Sequence, residues 1–429
     1  MIARLRALRV DVTPLRTSRD FRLLLVAGTV FYLGAMVTYV AIPYQVYTLT
    51  GSNFLVGAIG IAELVPLVVF GLYGGALADH VDRRRLLVWT GLAQAAATAV
   101  LAANAFGAFG DPSVPLVFVV AVVLVSTSAM QRPSREALMP RTVRHDELVA
   151  ANALFSLGMQ VGVLLGPAIG GLLIAYVGLG WCFVVDIVGL VLATVMYAAM
   201  RPYPHRAETT PPSLSGVAEG MRYAVGRRDL LGTYLVDIAA MVLAFSVVLF
   251  PALVSEVFAR PELLGLLYSA ETVGALVATA LSGWTARVHH HGRAIVLAAA
   301  AYGGFIALAG LMPSFWLVAL ALALAGAADM ISGVFRSTVW SQTIPEAMRG
   351  RLAGIEMLSY SLGPLGGQVR AGVTADLWSV RGAITSGGIA CVAGVTLTAV
   401  WLRDFWSYDT RTDEHAVAER EARAAAGEV

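Results

Sequence analysis

Four carboxylates stand well inside long apolar stretches of this sequence: Glu63, Asp237, Glu271 and Asp329. An acid at the centre of a membrane-crossing helix costs about 2.5–3.5 kcal/mol on insertion scales, so it normally faces a cavity or a partner. Burial penalises the charged form of any carboxylate, which makes proton exchange near neutral pH feasible. These four are therefore candidates for proton or substrate coupling; the plainer role is that of static hydrogen-bonded acids. Asp186 and Glu356 lie nearer the ends of their runs, within reach of interfacial water. Tyr39, Gln45, Gln160 and Gln342 are candidate substrate contacts in a mostly apolar pocket, or else interhelical bonds. Arg370, near the outer end of its run, could bind an anionic substrate, but snorkelling to the interface is the commoner explanation.

Other chemistry finds little footing. There is no nucleophile motif and no paired zinc-ligand spacing, so an enzyme is not expected. All thirty basic residues are arginine. A standard P-loop and Schiff-base chemistry both need a lysine, so neither is available. Cys182 and Cys391 are too far apart in sequence to build a framework and are expected to be apolar fillers. His289, His290 and His291 read as a surface loop rather than a metal site. No cofactor or metal is expected.

The elements that must position the acids are helices in a bilayer. The chain is 58% hydrophobic and 14% charged, with mean hydropathy +0.74, against about a quarter charged in soluble domains. Crossing the hydrocarbon takes about 20 apolar residues. Twelve such runs occur, roughly 21–45, 55–78, 86–107, 115–131, 148–175, 180–200, 230–255, 262–286, 293–311, 314–335, 351–376 and 380–402. They are too long and too uniformly apolar for barrel strands. Arginines gather in alternate loops, among them Arg83 to Arg85, then Arg132, Arg135, Arg141 and Arg144, and later Arg336, Arg349 and Arg351. The positive-inside rule then predicts a multi-pass bacterial plasma-membrane protein with both termini cytoplasmic. The net charge of +2 points to no nucleic-acid partner. The predicted organisation is a cytoplasmic segment 1–20, a six-helix bundle 21–200, a cytoplasmic linker 201–229, a second bundle 230–403 and a tail 404–429. Leu214 to Val225 could form a surface helix in the linker, and the charged tail after Asp404 reads as a solvated helix or as disordered.

The two bundles repeat. Asp20-Phe21 recurs as Asp229-Leu230, Ile42-Pro43 as Phe250-Pro251, Val56-Gly57 as Leu264-Gly265, Glu63 as Glu271 and Gly75 as Gly283, all 208 or 209 positions apart. Arg132…Pro140 matches Arg336…Pro345, and Gly166-Pro167-Ala168-Ile169-Gly170-Gly171 matches Gly363-Pro364-Leu365-Gly366-Gly367. Parallel six-helix repeats suit a transporter that rocks about a midplane site.

Gly75-Ala-Leu-Ala-Asp79-His-Val-Asp82-Arg83-Arg84-Arg85 resembles the loop signature between helices two and three of the major facilitator superfamily. Gly162-x-x-x-Gly166-Pro167-x-x-Gly170-Gly171 resembles the helix-five motif of its drug exporters. Over residues 20–402 the chain resembles the superfamily's bacterial enterobactin-exporter and macrolide-efflux branch, through Ile42-Pro43-Tyr44-Gln45-Val46, Tyr268 and Gln342-Thr343-Ile344-Pro345-Glu346-Ala347-Met348 among others. The resemblance implies an all-α membrane fold of twelve transmembrane helices in two pseudo-symmetric bundles. It implies proton-coupled export of a small amphipathic molecule, a siderophore or macrolide-like drug, by a monomer in the lipid bilayer. Nutrient uptake and a non-transporting sensor are the alternatives. It also implies gating by Gly75, Asp79, Asp82, Arg83 and Arg84. Two departures stand out: Asp82 replaces the usual glycine, and the arginine of drug–proton antiporters inside helix four is absent, Arg132 lying at that helix's end.

Overall fold

The computed structural model describes residues 11–203 and 222–425. Side chains of 72–80, most of 346–360 and those beyond 421 are not described, so the surroundings of Gly75, Asp79 and Glu356 lie outside the described residues. So does most of the helix expected over 214–225.

The membrane helices are α1 Arg19–Thr50, α2 Asn53–His80, α3 Arg83–Ala105, α4 Val114–Thr142, α5 Leu148–Tyr176 and α6 Leu179–Ala198. After the linker come α7 Arg228–Ala244, α8 Leu264–Ala280, α9 His291–Leu311, α10 Phe315–Thr343, α11 Glu346–Leu377 and α12 Val380–Trp401. Among the described residues eleven spans are long and apolar enough to cross a membrane; α11 is the remaining long helix, 32 residues, with charged residues at its start. Among the described residues there is no strand. Large apolar side chains cover the outside, such as Val65, Trp89, Val119, Leu281 and Trp401. Lipid, not water, is the solvent such a surface needs.

Turn chemistry sets the boundaries. Gly178 bridges α5 and α6 at φ 112, a backbone conformation that side chains resist. Ser314 and Ser379 cap α10 and α12, accepting from Leu317 N and Gly382 N. The repeat's two prolines behave differently. Pro43 sits inside a continuous α1, whereas α7 ends at Ala244 and resumes as 3-10 and π turns through Val257.

The chain forms two compact units. The first holds residues 1–50, 65–211 and 261–265; its core gathers Phe21, Leu24, Leu87, Leu138, Leu154 and Tyr197. The second holds 51–64, 212–260 and 266–429, with a smaller core around Leu230, Tyr234, Trp340 and Leu352. Tyr234 stacks on Trp340, whose indole donates to Thr233 Oγ1 at 2.8 Å. The tail ends in a largely exposed helix, as expected, but Tyr408, Asp409 and Thr410 before it are buried and not solvated. It runs back along α10, with Thr410 donating to Gln342 Oε1 at 2.7 Å and a final helix, α13, over Glu414–Ala425.

Candidate functional site

Two arginines read as loop charges are instead interior residues. Both α4 and α10 run further than their apolar stretches, to Thr142 and Thr343. Arg135 and Arg336 are therefore helical, and each is 3% exposed. This also corrects the reading that α4 carries no interior arginine. Arg132 is the exposed one, paired with Glu136 one turn on at 2.9 Å.

In the second unit the candidate acids converge on Arg336. Its guanidinium forms a salt bridge with Asp237 on α7, itself 1% exposed, and lies 3.8 Å from Asp329. Asp329 and Arg336 are seven residues apart on α10, two turns along one face. Asp329 keeps 40% of its side chain exposed, so the chain of charges runs from a sealed end to an accessible one. Glu271 joins from α8. A Cβ at Gly326 of α10 would overlap the Glu271 carbonyl oxygen, so this glycine lets the two helices touch there. Asp329 follows Gly326 by less than one turn of α10, next to this contact with Glu271. Glu63, half-buried on α2, is not part of this chain. Asp186 departs from the interfacial expectation: it is 3% exposed and accepts from Thr38 Oγ1 at 2.5 Å.

The candidate polar contacts differ in their surroundings. Tyr39 and Gln160 are exposed, Gln45 is buried, and Gln342 is engaged by the tail. Tyr39 and Gln45 are separated by about 9 Å of helix rise. Arg370 is not snorkelling: it donates to the carbonyls of Ala383 at 3.0 Å and Phe245 at 3.4 Å. A cavity of about 720 Å³ in the first unit is lined by Arg19, Asp20, Arg141, Arg144 and Arg201 among others, and touches none of the candidate acids. The histidine triplet divides its roles. His291 Nε2 contacts its own turn at Val288 O, and His290 lies 3.5 Å from Asp409. Asp409, outside the membrane helices, is held well below the usual carboxylate range by hydrogen bonds from Arg411.

The loop between α2 and α3 explains its own departure from glycine. Asp82 caps α3, accepting from Arg84 N at 2.9 Å and Arg85 N at 3.4 Å. Arg83 reaches the Ala137 carbonyl on α4, and Arg84 the Ala198 carbonyl ending α6. Cations at helix C-termini are favoured by the dipole. The helix-five glycines form a contact surface. Gly162 meets Tyr32 and Leu33 of α1, Gly166 meets Met36, and Gly170 meets Val37. Gly171 meets Gly265, whose own hypothetical Cβ would crowd the Pro167 carbonyl. Gly363 and Gly367 repeat this packing of α11 on Met241 of α7.

The far end of α2 is capped from another helix. Asp376 of α11 accepts from Ser52 Oγ, Asn53 N and Phe54 N, each at 2.9 Å. Gly372 permits the approach, since a Cβ there would strike the Asn53 carbonyl. Replacing an N-cap acceptor costs about 0.5–2 kcal/mol. Asp376→Ala is expected to lower the unfolding midpoint of the detergent-solubilised protein by a few degrees and to speed hydrogen exchange at residues 53–56. Unchanged exchange at those amides would show that Asp376 does not hold this end.

A family profile described as "Transmembrane secretion effector" matches residues 10–425. The chain belongs to this family of the major facilitator superfamily. The enterobactin exporter EntS of Shigella boydii serotype 4 (strain Sb227) is 27% identical over 403 residues, 91% of this chain and 94% of that protein. EntS of Escherichia coli O81 (strain ED1a) shows the same identity and coverage. Among solved structures, an inward-facing bacterial homolog of the human lysosomal transporter Spinster superposes with a TM-score of 0.68 at 16% identity, over 96% of this chain and 98% of that one. A bacterial homologue of the iron transporter ferroportin gives 0.69 at 15%, over 91% and 99%. At these identities the solved structures establish the fold alone. The expected all-α transporter fold is thereby borne out, as is the likeness to the enterobactin-exporter branch, and with them membership among multi-pass membrane transporters.

Proposed function

We propose that this protein is a secondary active exporter in the bacterial plasma membrane, with both termini cytoplasmic, that expels a small amphipathic organic molecule in exchange for protons. The observation that carries the reading is the interior chain Asp237–Arg336–Asp329 with Glu271 beside it. Charges so placed are costly in an apolar bundle, and one end of the chain is accessible, as proton exchange requires. Titration of Asp329 or Glu271 changes the charge balance around Arg336 and so biases the packing of α7, α8 and α10. Alternating access then amounts to rocking of two six-helix halves. Asp376 holds α2 at one end, and Asp79 stands at the other, where the resemblance assigns a gate. The relatives named as enterobactin exporters make a siderophore or a similarly sized amphipathic molecule the substrate class to test. Arginines at the terminal end of the helices favour the orientation.

Inverted membrane vesicles carrying an imposed pH gradient, screened with siderophores and macrolides, test the proposal. Wild type is expected to accumulate at least one of them only while the gradient lasts. Asp79→Asn is expected to remove accumulation while membrane expression stays intact. Full activity of that variant would dismiss the gate, and gradient-independent accumulation would dismiss proton exchange.

A further inference from the structure

The sequence pairs Arg336 with Arg132, but by burial and distance from the helix end its counterpart is Arg135, and the two halves treat this arginine differently. Arg135 lies seven residues before the end of α4 and Arg336 seven before the end of α10. Gly28 lies eight residues after Asp20, and Asp237 eight after Asp229, in the repeated starts of α1 and α7. The structure joins these positions: a Cβ built on Gly28 would sit 3.8 Å from Arg135 Cδ, just as Asp237 meets Arg336. So the second half supplies its buried arginine with a carboxylate, and the first half puts a glycine in that place.

Arg135 is left with aromatic company. Its guanidinium carbon lies 4.5 Å from the Tyr32 ring centroid and 5.0 Å from that of Phe31, and Nη2 donates to Tyr32 Oη at 2.9 Å. Nε and Nη1 make no well-formed hydrogen bond, their polar neighbour being the buried Tyr197 hydroxyl, and no described acid lies within salt-bridge distance. Ring faces attract a cation but do not accept its N–H bonds as an anionic oxygen does. Tyr32 and Phe155, the rings nearest to Arg135 and Gly28, are only half-buried, so they can move without unpacking the core behind them.

We infer that Arg135 is an anion receptor, and that the carboxylate missing at Gly28 is supplied by the transported molecule. This rests on the transport reading and narrows it to substrates bearing a carboxylate or an ionised phenol. The guanidinium keeps its charge at any physiological pH, so it recognises charge and not merely polarity.

Salicylate and octanoate, each against its neutral amide, are suitable probes. Anything that binds the folded protein raises its unfolding midpoint, with the logarithm of the ligand concentration once that exceeds Kd. The purified wild-type protein is expected to show such a logarithmic rise with at least one of the two anions and none with the matching amide. Arg135→Gln should weaken that anion at least tenfold. Gly28→Asp should do the same by providing an internal counter-ion, while unfolding no earlier than wild type. The atoms nearest the new Cβ lie at 3.7 Å or beyond, so the Cβ itself meets no overlap, and this variant decides the matter if Arg135→Gln does not. Equal response to anion and amide, no response to either anion, or anion affinity within twofold of wild type in Gly28→Asp would overturn the assignment. Anion binding lost in both variants, in a protein that moves nothing in vesicles, would sustain the receptor and remove the transport reading. Gradient-driven export by Gly28→Asp at the wild-type rate, for a substrate bearing an anion, would do the opposite.

Discussion

Asp237→Ala is expected to destabilise the protein more than any other single substitution among the candidate acids. Arg336 would keep its charge in a site where it is 3% exposed. Removing one partner of a buried ion pair costs about 3–5 kcal/mol, because the other is left uncompensated. Asp329 sets the lower end of that range here. It already lies 3.8 Å from Arg336 and can take over part of the pairing, though its greater exposure weakens the bond it offers. The double variant Asp237→Ala/Arg336→Met should regain most of the loss, since it removes both charges and retains apolar volume. Unfolding midpoints of the two single variants and the double variant, measured in one detergent, check this. Simple additivity across that cycle would mean that the pair is not coupled, and would detach Asp237 from the proposed relay.

That pair also marks where the sequence could and could not be read. Apolar runs located every membrane helix, because crossing a bilayer imposes length and polarity at once. The same criterion cut α4 at residue 131 and α10 at 335, since a run of apolar residues ends at the first charge even when the helix does not. Arg135 and Arg336 fall just beyond those edges, where a charge reads as a loop residue. A helical count from Asp329 would have exposed the second of them, for Arg336 falls two turns further along the same face. The candidate polar contacts rest on less. Nothing in a sequence says which face of an almost uniformly apolar helix turns inward, so Tyr39, Gln45, Gln160 and Gln342 were picked by residue type alone. The glycine motif fared better, because a small residue every four positions implies close helix contact whatever the direction. Asp82 shows the opposite case: it departs from the resembled loop, yet an aspartate before an arginine-rich helix start is itself a capping pattern. Asp376 gave no local cue, because the amides it caps lie over 320 residues away.

Neutralising Glu271 and Asp329 together is expected to uncouple transport from the proton gradient without stopping it. A proton crossing about 100 mV releases about 2.3 kcal/mol, enough for roughly a fifty-fold gradient in one-for-one exchange with an uncharged substrate. If these two acids carry that proton, Glu271→Gln/Asp329→Asn should still let substrate equilibrate across the vesicle membrane but should leave it near a one-to-one ratio. Stability should change far less than in Asp237→Ala, because Asp237 remains to compensate Arg336. This separates coupling from folding: a variant that merely collapses would lose downhill equilibration as well. Glu63→Gln is the internal comparison. It occupies the repeat-equivalent position on α2 but stands outside the chain of charges around Arg336, so its removal should leave the gradient dependence in place. Substrate accumulation followed with and without a protonophore reads all three variants. Persistence of protonophore-sensitive accumulation in Glu271→Gln/Asp329→Asn would place the proton path elsewhere, and loss of it in Glu63→Gln alone would move it to α2.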